Sequence, residues 1–474
     1  MKTFNGCGGF VIAGTGSGVG KTSVALGLVR AIKHRGIMVH PFKVGPDFLD
    51  PSYLTAAAGQ SCYNLDPWMC GETYVKSMYS DQMQSGGIAI VEGAMGLFDG
   101  ASAVSSEGSA AHVASLLGLP VLLIVNAHGT ARSLCATVKG FATFEDNIQV
   151  AGVIANHVGS ANHARILGEA LNSSGLPPLL GSILRNSLPE LKSRHLGLVN
   201  AGEENQVDGL IDELADVVEP CLEMERILCA QMPAAQKEQI SVSQKPYSYV
   251  HAKNVRIGIA QDKAFCFVYP DNLERLAAAG IAWVPFSPCR DKELPGNLDA
   301  LYFPGGYPEL HAKEISANAA MRDAVSGFAA SGRLIYAECG GLMYLSQGVV
   351  DQNGNRYPMA GVLPVETRMN KRLHRLGYAV VTLTESCCWG EPGVRIRGHE
   401  FHYSDIVDPA FLNQNWQRCY RVEKRRAIEA EGFLNNHKNI LASYVHLHWA
   451  SRPEAIRAFT QNIYAASRGR KRKG

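Results

Sequence analysis

GFVIAGTGSGVGKTS, residues 9–23, decides the architecture of the first half of this chain. A short aliphatic run enters a loop with glycine at positions 14, 16, 18 and 20, and the loop ends on Lys21-Thr22-Ser23. Residues 22–34 then read as a helix. Strand, glycine loop and helix together make a phosphate cradle, because glycine lets successive N–H groups converge on one anion and the helix adds the positive end of its dipole. Gly14, Gly16, Gly18, Gly20 and Ser23 would line the phosphates. Lys21 would reach the terminal phosphates, and Thr22 would offer its hydroxyl to magnesium. The usual spacing needs glycine at position 15, where Thr15 stands, so the first glycine comes one residue early.

Outward from this loop, short Val/Ile/Leu runs alternate with helical stretches. Residues 37–45, 88–96, 119–127, 150–158 and 179–186 read as further strands. Such runs separated by helices indicate a parallel sheet covered on both faces. Sheets of that kind bind ligands beyond the carboxyl ends of their strands, and polar residues gather there. KVGPDFLDP contributes Lys43, Asp47 and Asp50, VEGAMGLFDG contributes Glu92 and Asp99, and Asn156 closes a third strand. Magnesium takes one or two carboxylates beside phosphate oxygens and water. Thr22, Asp47 and Glu92 are therefore the expected ligands, with Lys43 on the nucleotide. Asp47 and Asp99 are the candidate catalytic acids, Asp99 serving a second metal or its own loop. Asn156 could read the adenine edge or serve as a structural amide. Asp50-Pro51 and Asp99-Gly100 are also ordinary turn signals.

The pattern breaks at residues 231–253, a polar stretch rich in Gln, Ser and Lys that reads as a linker. Residues 1–230 form the first domain on this reading, 254–467 a second α/β domain, and 468–474 a basic tail. In the second domain RLIYAECGGLMYL, residues 333–345, runs strand, tight turn, helix around Cys339. That turn would expose the thiol, lower its pKa and hold an oxyanion on helix-end N–H groups, Gly340 among them. The loop PGGYPE, residues 304–309, could add Gly305 or Gly306 as a second oxyanion donor. A thiolate needs a base that later protonates ammonia. His446 and His448, two apart in SYVHLHWAS, share one face of a strand and are both candidates. The histidines of GHEFHYS, residues 398–404, with His446 and His448, also make four imidazoles that a metal could use.

The 474 residues carry 45 basic and 43 acidic side chains, and five of the basic ones lie in the last seven positions. The body is thus mildly acidic, which argues against nucleic acid as a partner. Twelve cysteines without a CxxC pair fit a reducing compartment rather than a disulfide scaffold. No apolar run approaches the ~20 residues that cross a bilayer. A cytoplasmic protein without a membrane partner is expected.

In order, GTGSGVGKTS, KVGPDFLDP, NLDPWM, VEGAMGLFDG, PGGYPEL, AECGGLMYL, GHEFHYS and SYVHLHW resemble the cobyrinate a,c-diamide synthase family, hydrogenobyrinate-using relatives included, over nearly the whole chain. The resemblance implies an α/β protein in two parts: a P-loop domain similar to dethiobiotin synthetase, and a triad-type class I glutamine amidotransferase domain. It implies ATP and Mg2+, with glutamine and cobyrinate or hydrogenobyrinate as substrates, and a possible homodimer. The reaction would phosphorylate the a and c side-chain carboxylates and displace phosphate with glutamine-derived ammonia. Lys21, Thr22, Asp47, Glu92 and Asp99 match the synthetase motifs, Cys339 matches the nucleophile, and the register favours His446 while leaving His448 open. The acid that completes many such triads is missing from its usual place, and Glu454 is the nearest substitute. Residues 265–272 and 368–378, with Arg368, Lys371, Arg372 and Arg375, are candidate corrin contacts. A nickel-sirohydrochlorin a,c-diamide synthase, cobyric acid synthase and a non-catalytic ATP switch are the rival readings.

Overall fold

The computed structural model describes residues 8–191, 207–230, 255–407, 415–424 and 427–471, with the short pairs 193–194, 197–198 and 232–233. The chain divides into two compact units, Met1–Ser243 and Gln244–Gly474.

In the first unit the apolar runs become seven strands. They are β1 (Gly8–Gly14), β2 (Val39–Val44), β3 (Tyr63–Leu65), β4 (Ile88–Glu92), β5 (Val121–Asn126), β6 (Val150–Val158) and β7 (Leu179–Leu184). They pair in parallel in the order β3-β2-β4-β1-β5-β6-β7. β1 and β4 are buried along their whole length, as a sheet with both faces covered requires. The order reverses around β1, so the loop after Gly14 opens into the crevice where such sheets take ligands. Helix α1 (Lys21–His34) follows that loop and buries Val24, Leu28, Val29 and Ile32 against β1 and the helix Val207–Val218. Arg30 on α1 is bonded to Asp208 and Asp212 of that helix at 2.7 and 2.8 Å.

The second unit has ten strands in one sheet. They are β8 (Val255–Ala260), β9 (Ile281–Phe286), β10 (Ala300–Phe303), β11 (Leu334–Glu338), β12 (Arg375–Leu383), β13 (Arg395–His402), β14 (Trp416–Glu423), β15 (Ile428–Asn435), β16 (Ile440–Ser443) and β17 (His446–Leu447). Their order is β9-β8-β10-β11-β16-β15-β14-β12-β13-β17. The first five are parallel and the rest antiparallel. Tyr302, Tyr336, Trp389, Trp449 and Phe459 make an aromatic core on one face, with Trp389 and Phe459 stacked at 4.5 Å. Phe459 belongs to the helix Pro453–Lys471.

Two expected boundary segments carry regular structure. Met232–Pro233, placed in the linker by composition, pairs with Gly8 and Gly9 of β1, which precede the β1–β5 pairing that begins at Val11 and so leave backbone N–H and C=O groups open on that side. Residues 234–254 of the expected linker lie outside the described residues. The first residues of the expected basic tail are helical, since the helix Pro453–Lys471 continues through Arg468 and Arg470.

Candidate active sites

The first site is built on the loop after β1. Gly20 has φ +93°, and a Cβ there would stand 2.3 Å from Asn156 Nδ2, so only glycine fits. Lys21 Nζ crosses the loop to donate to Gly16 O at 2.8 Å. Burial, with Lys43 close by, pulls the Lys21 ammonium below its ordinary pKa. Thr22 and Ser23 lie in the first turn of α1. Thr22 Oγ1 donates to Glu92 Oε1 at 2.7 Å.

Glu92 is fully buried at the end of β4 and lies 3.2 Å from Lys43 Nζ. Lys43 also pairs with Asp50. Burial opposes charge on Lys43, but Asp50, Glu92 and Asp47 outweigh it and keep the ammonium protonated. Burial pushes the carboxyls of Asp47 and Glu92 up, while Lys43 holds Asp50 low despite its own burial. Asp47 Oδ1 accepts from Leu49 N at 2.9 Å, and Asn64 Nδ2 donates to Gly45 O and Asp47 O at 2.8 Å each, which fixes the loop. Asn64 had no assigned role in the sequence, although it opens the NLDPWM island. Glu92 Oε2 is buried with no hydrogen-bond partner among the described residues. An orphaned carboxylate oxygen beside a threonine hydroxyl fits a hard, oxygen-seeking cation. Among the described residues no group of three or more His, Cys, Asp or Glu side chains could hold a metal by itself. A cation here would therefore complete its shell with phosphate and water.

Two residues left with alternatives in this half follow one of them. Asn156 is placed as a structural amide: Nδ2 donates to Val19 O at 2.9 Å and Oδ1 accepts from His157 N at 2.8 Å. It is a brace for the phosphate loop, 2 % exposed. Asp99 Oδ2 accepts from Gly96 N at 2.8 Å and steadies its own loop, which is bonded to the cradle through Leu97 N and Gly14 O at 2.9 Å.

The second site begins at the end of β11. Cys339 has φ +46° and ψ −102°, a conformation L-residues rarely adopt, and the helix Gly340–Leu345 follows at once. The thiol is not exposed, as the motif had suggested, but 4 % exposed. Burial and then Glu309 push its pKa well up, against the opposing pull of the Gly340 N–H. The turn supplies the helix-end donor, but a dry environment outweighs it. A Cβ on Gly340 would lie 3.0 Å from Gly306 N, so the two expected oxyanion donors are neighbours. A Cβ on Gly305 would lie 2.2 Å from His446 Cε1. The loop PGGYPE thus touches both the nucleophile's turn and a histidine.

Strand register separates the two histidines. Cys339 Sγ donates to Phe401 O at 3.7 Å, and β13 pairs with β17 as His399↔His446 and Gly398↔Leu447. Phe401 lies beyond His399 on the side away from residues opposite His448. His446 therefore lies toward the thiol's end of the β13–β17 pairing, whereas His448 stands past the end of β17. Burial, then His399, hold His446 neutral, well below its ordinary pKa. The His399 ring stacks on it at 4.9 Å. His448 is committed elsewhere: Nε2 lies 3.4 Å from Asp271, Nδ1 accepts from Ala450 N at 3.2 Å, and Tyr269 covers the ring at 4.5 Å.

Glu454 is no triad acid, because it pairs with Arg452 at 3.0 Å on the surface, 64 % exposed. Residues 265–272 are not an open corrin surface either: Phe265, Phe267, Tyr269, Asp271 and Asn272 are buried, and Phe267, Tyr269 and Asp271 pack around the two histidines. Lys371 and Arg372 remain exposed, while Arg375 pairs with Glu429 at 3.0 Å. The four imidazoles do not gather on a metal: His399 stacks on His446, and His402 stacks on Tyr444 at 4.0 Å. Sequence reading missed two buried carboxylates. Glu338 accepts from Leu447 N, and Glu431 from Tyr444 N and the Ser443 hydroxyl, at 3.0, 2.7 and 2.6 Å. Glu338 precedes the cysteine in the motif, while nothing local marks Glu431.

Residues 10–199 match the family model of the CobQ/CobB/MinD/ParA nucleotide binding domain, and residues 256–454 that of the CobB/CobQ-like glutamine amidotransferase domain. The cobyrinate a,c-diamide synthase of Syntrophotalea carbinolica is 50% identical over 96% of this chain and 98% of its own. That of Leptospira interrogans is 40% identical over 95% and 97%, and that of Priestia megaterium 34% identical over 97% and 98%.

Proposed function

The chain belongs to the cobyrinate a,c-diamide synthase family, and from that membership we propose that its first unit activates substrate carboxylates while its second supplies the ammonia. It is a glutamine-hydrolysing ligase that amidates its substrate with ATP in cobalamin biosynthesis. The substrate is cobyrinate or hydrogenobyrinate. One observation carries the division of labour: a phosphate cradle with a buried acid and lysine in one unit, and a strained cysteine turn beside a neutral histidine in the other.

In the first site the cradle and Lys21 bind the triphosphate, and Lys43 neutralises charge near its end. A substrate carboxylate oxygen attacks the terminal phosphorus, the bond to ADP breaks, and an acyl phosphate results. Ammonia then attacks the acyl carbon, phosphate leaves with the C–O electron pair, and the amide remains after loss of a proton. Thr22, Asp47 and Glu92 would hold magnesium, which would neutralise phosphate charge when bound. In the second site His446 takes the thiol proton as Cys339 attacks the glutamine amide carbon. Gly306 and Gly340 N–H groups stabilise the oxyanion. His446 returns the proton to the departing ammonia, and water releases glutamate.

Mass spectrometry of cobyrinate incubated with the protein, magnesium, ATP and glutamine tests this. Two successive exchanges of an acid hydroxyl for an amino group are expected. Cys339→Ala should still make both products from ammonium chloride and none from glutamine. Cobyrinate and hydrogenobyrinate both left unchanged, or a Cys339→Ala variant that still uses glutamine, defeats the proposal.

A further inference from the structure

The nucleophile leaves β11 and the histidine stands on β17, yet these strands are fourth and tenth in the sheet order and share no ladder. Cys339 N donates to Ser443 O at 2.7 Å, three residues before His446, and a side chain makes a second, direct link. Glu338, the last residue of β11, accepts the Leu447 N–H through Oε1 at 3.0 Å. Leu447 lies between His446 and His448. Tyr336 OH donates to the same oxygen at 2.6 Å, and Tyr302 OH donates to Oε2 at 2.7 Å. The two tyrosine rings stack at 5.5 Å on β10 and β11, so the carboxylate is gripped from the sheet interior. Among the described residues β17 has a sheet neighbour on one side only, β13. Glu338 gives it the acceptor that a second strand's carbonyl would otherwise supply.

We propose that Glu338 is a positioning residue for glutamine hydrolysis: it ties the nucleophile's strand to the histidine's strand and so sets His446 against the Cys339 thiol. The proposal rests on the assignment of Cys339 and His446 as the reacting pair. Glu338 faces the tyrosines and the Leu447 backbone, and it acts through His446 rather than on the substrate. Its adjacency to Cys339 makes the tie short: one residue from the thiol on one strand, one residue from the imidazole on the other. A misplacement of about 1 Å between reacting groups can cost about 100-fold in rate.

Glutamine hydrolysis and ammonia-driven amidation of cobyrinate are to be measured on the full chain, for the wild type, Glu338→Ala, Glu338→Gln and Tyr336→Phe. Glu338→Ala should lose about 100-fold in kcat for hydrolysis, with the KM for glutamine and the ammonium chloride rate unchanged. Glu338→Gln, whose amide oxygen still accepts from Leu447, should recover most of that rate. Tyr336→Phe should fall between them. An alanine variant that hydrolyses glutamine like the wild type overturns the proposal. So does a glutamine variant as impaired as the alanine one, which would make charge the cause. If Glu338→Ala does not fold, Tyr336→Phe decides, and an unchanged kcat overturns the proposal. A wild type that amidates with ammonia but never hydrolyses glutamine overturns the assignment of the reacting pair, and the proposal with it.

Discussion

Asn156 shows how a single residue's duty depends on what its side chain meets. At the carboxyl end of β6 it has the position of a nucleotide contact, yet its amide braces the loop, donating to Val19 O and accepting from His157 N. Removing it should loosen the phosphate loop without touching the second unit. Asn156→Ala is expected to raise the KM for ATP about tenfold, the cost of roughly one buried hydrogen bond, and to leave glutamine hydrolysis unchanged. Steady-state kinetics with ATP and glutamine varied in turn would check it, and an unaltered KM for ATP would return Asn156 to a passive role. The same lesson applies to Cys339 and His448. Motif reading found both, but burial raised the thiol's pKa and a buried aspartate claimed the second imidazole.

At the scale of elements, the joint between β16 and β17 is held by Glu431 on β15. Its carboxylate takes the Ser443 hydroxyl and the Tyr444 N–H, and burial pushes its pKa up from 4.5 to about 7. A carboxyl raised in the folded state keeps its proton longer there than in the unfolded chain. The burial penalty is therefore absent below the unfolded value, grows as pH rises toward the folded one, and is constant above it. Its ceiling is ~3 kcal/mol from the size of that shift. Glu431→Gln removes the charge and keeps an oxygen for Tyr444. Its melting temperature, relative to the parent's, should climb between about pH 4.5 and about pH 7 and level off above that. A gap that stays constant with pH would count against burial as the cause.

Across the whole molecule, each of the two units has its own sheet and core and matches its own family model, and the proposal gives each one half-reaction. Lys21→Ala should abolish amidation whether ammonia or glutamine supplies nitrogen, while hydrolysis of glutamine persists. Parallel assays of glutamate release and amide formation would check it, and loss of both activities together would contradict separate sites. Among the described residues no helix is long and apolar enough to cross a membrane.

The linear sequence by itself determined the two-unit α/β plan, the phosphate cradle, the cysteine turn and the pair of candidate histidines. Each of these is written in contiguous residues: aliphatic runs with strand spacing, glycines where backbone must approach a ligand, and a Cys-Gly-Gly turn. Only the tertiary structure showed that His448 lies beside Asp271, that the thiol is buried, that Asn156 braces the phosphate loop, and that Glu338 and Glu431 bond the backbone around the histidine strand. Those outcomes depend on register between strands far apart in sequence and on the withdrawal of polar groups from water. Burial and pairing shift a pKa or consume a hydrogen bond only once distant segments have met, and no local pattern encodes that meeting.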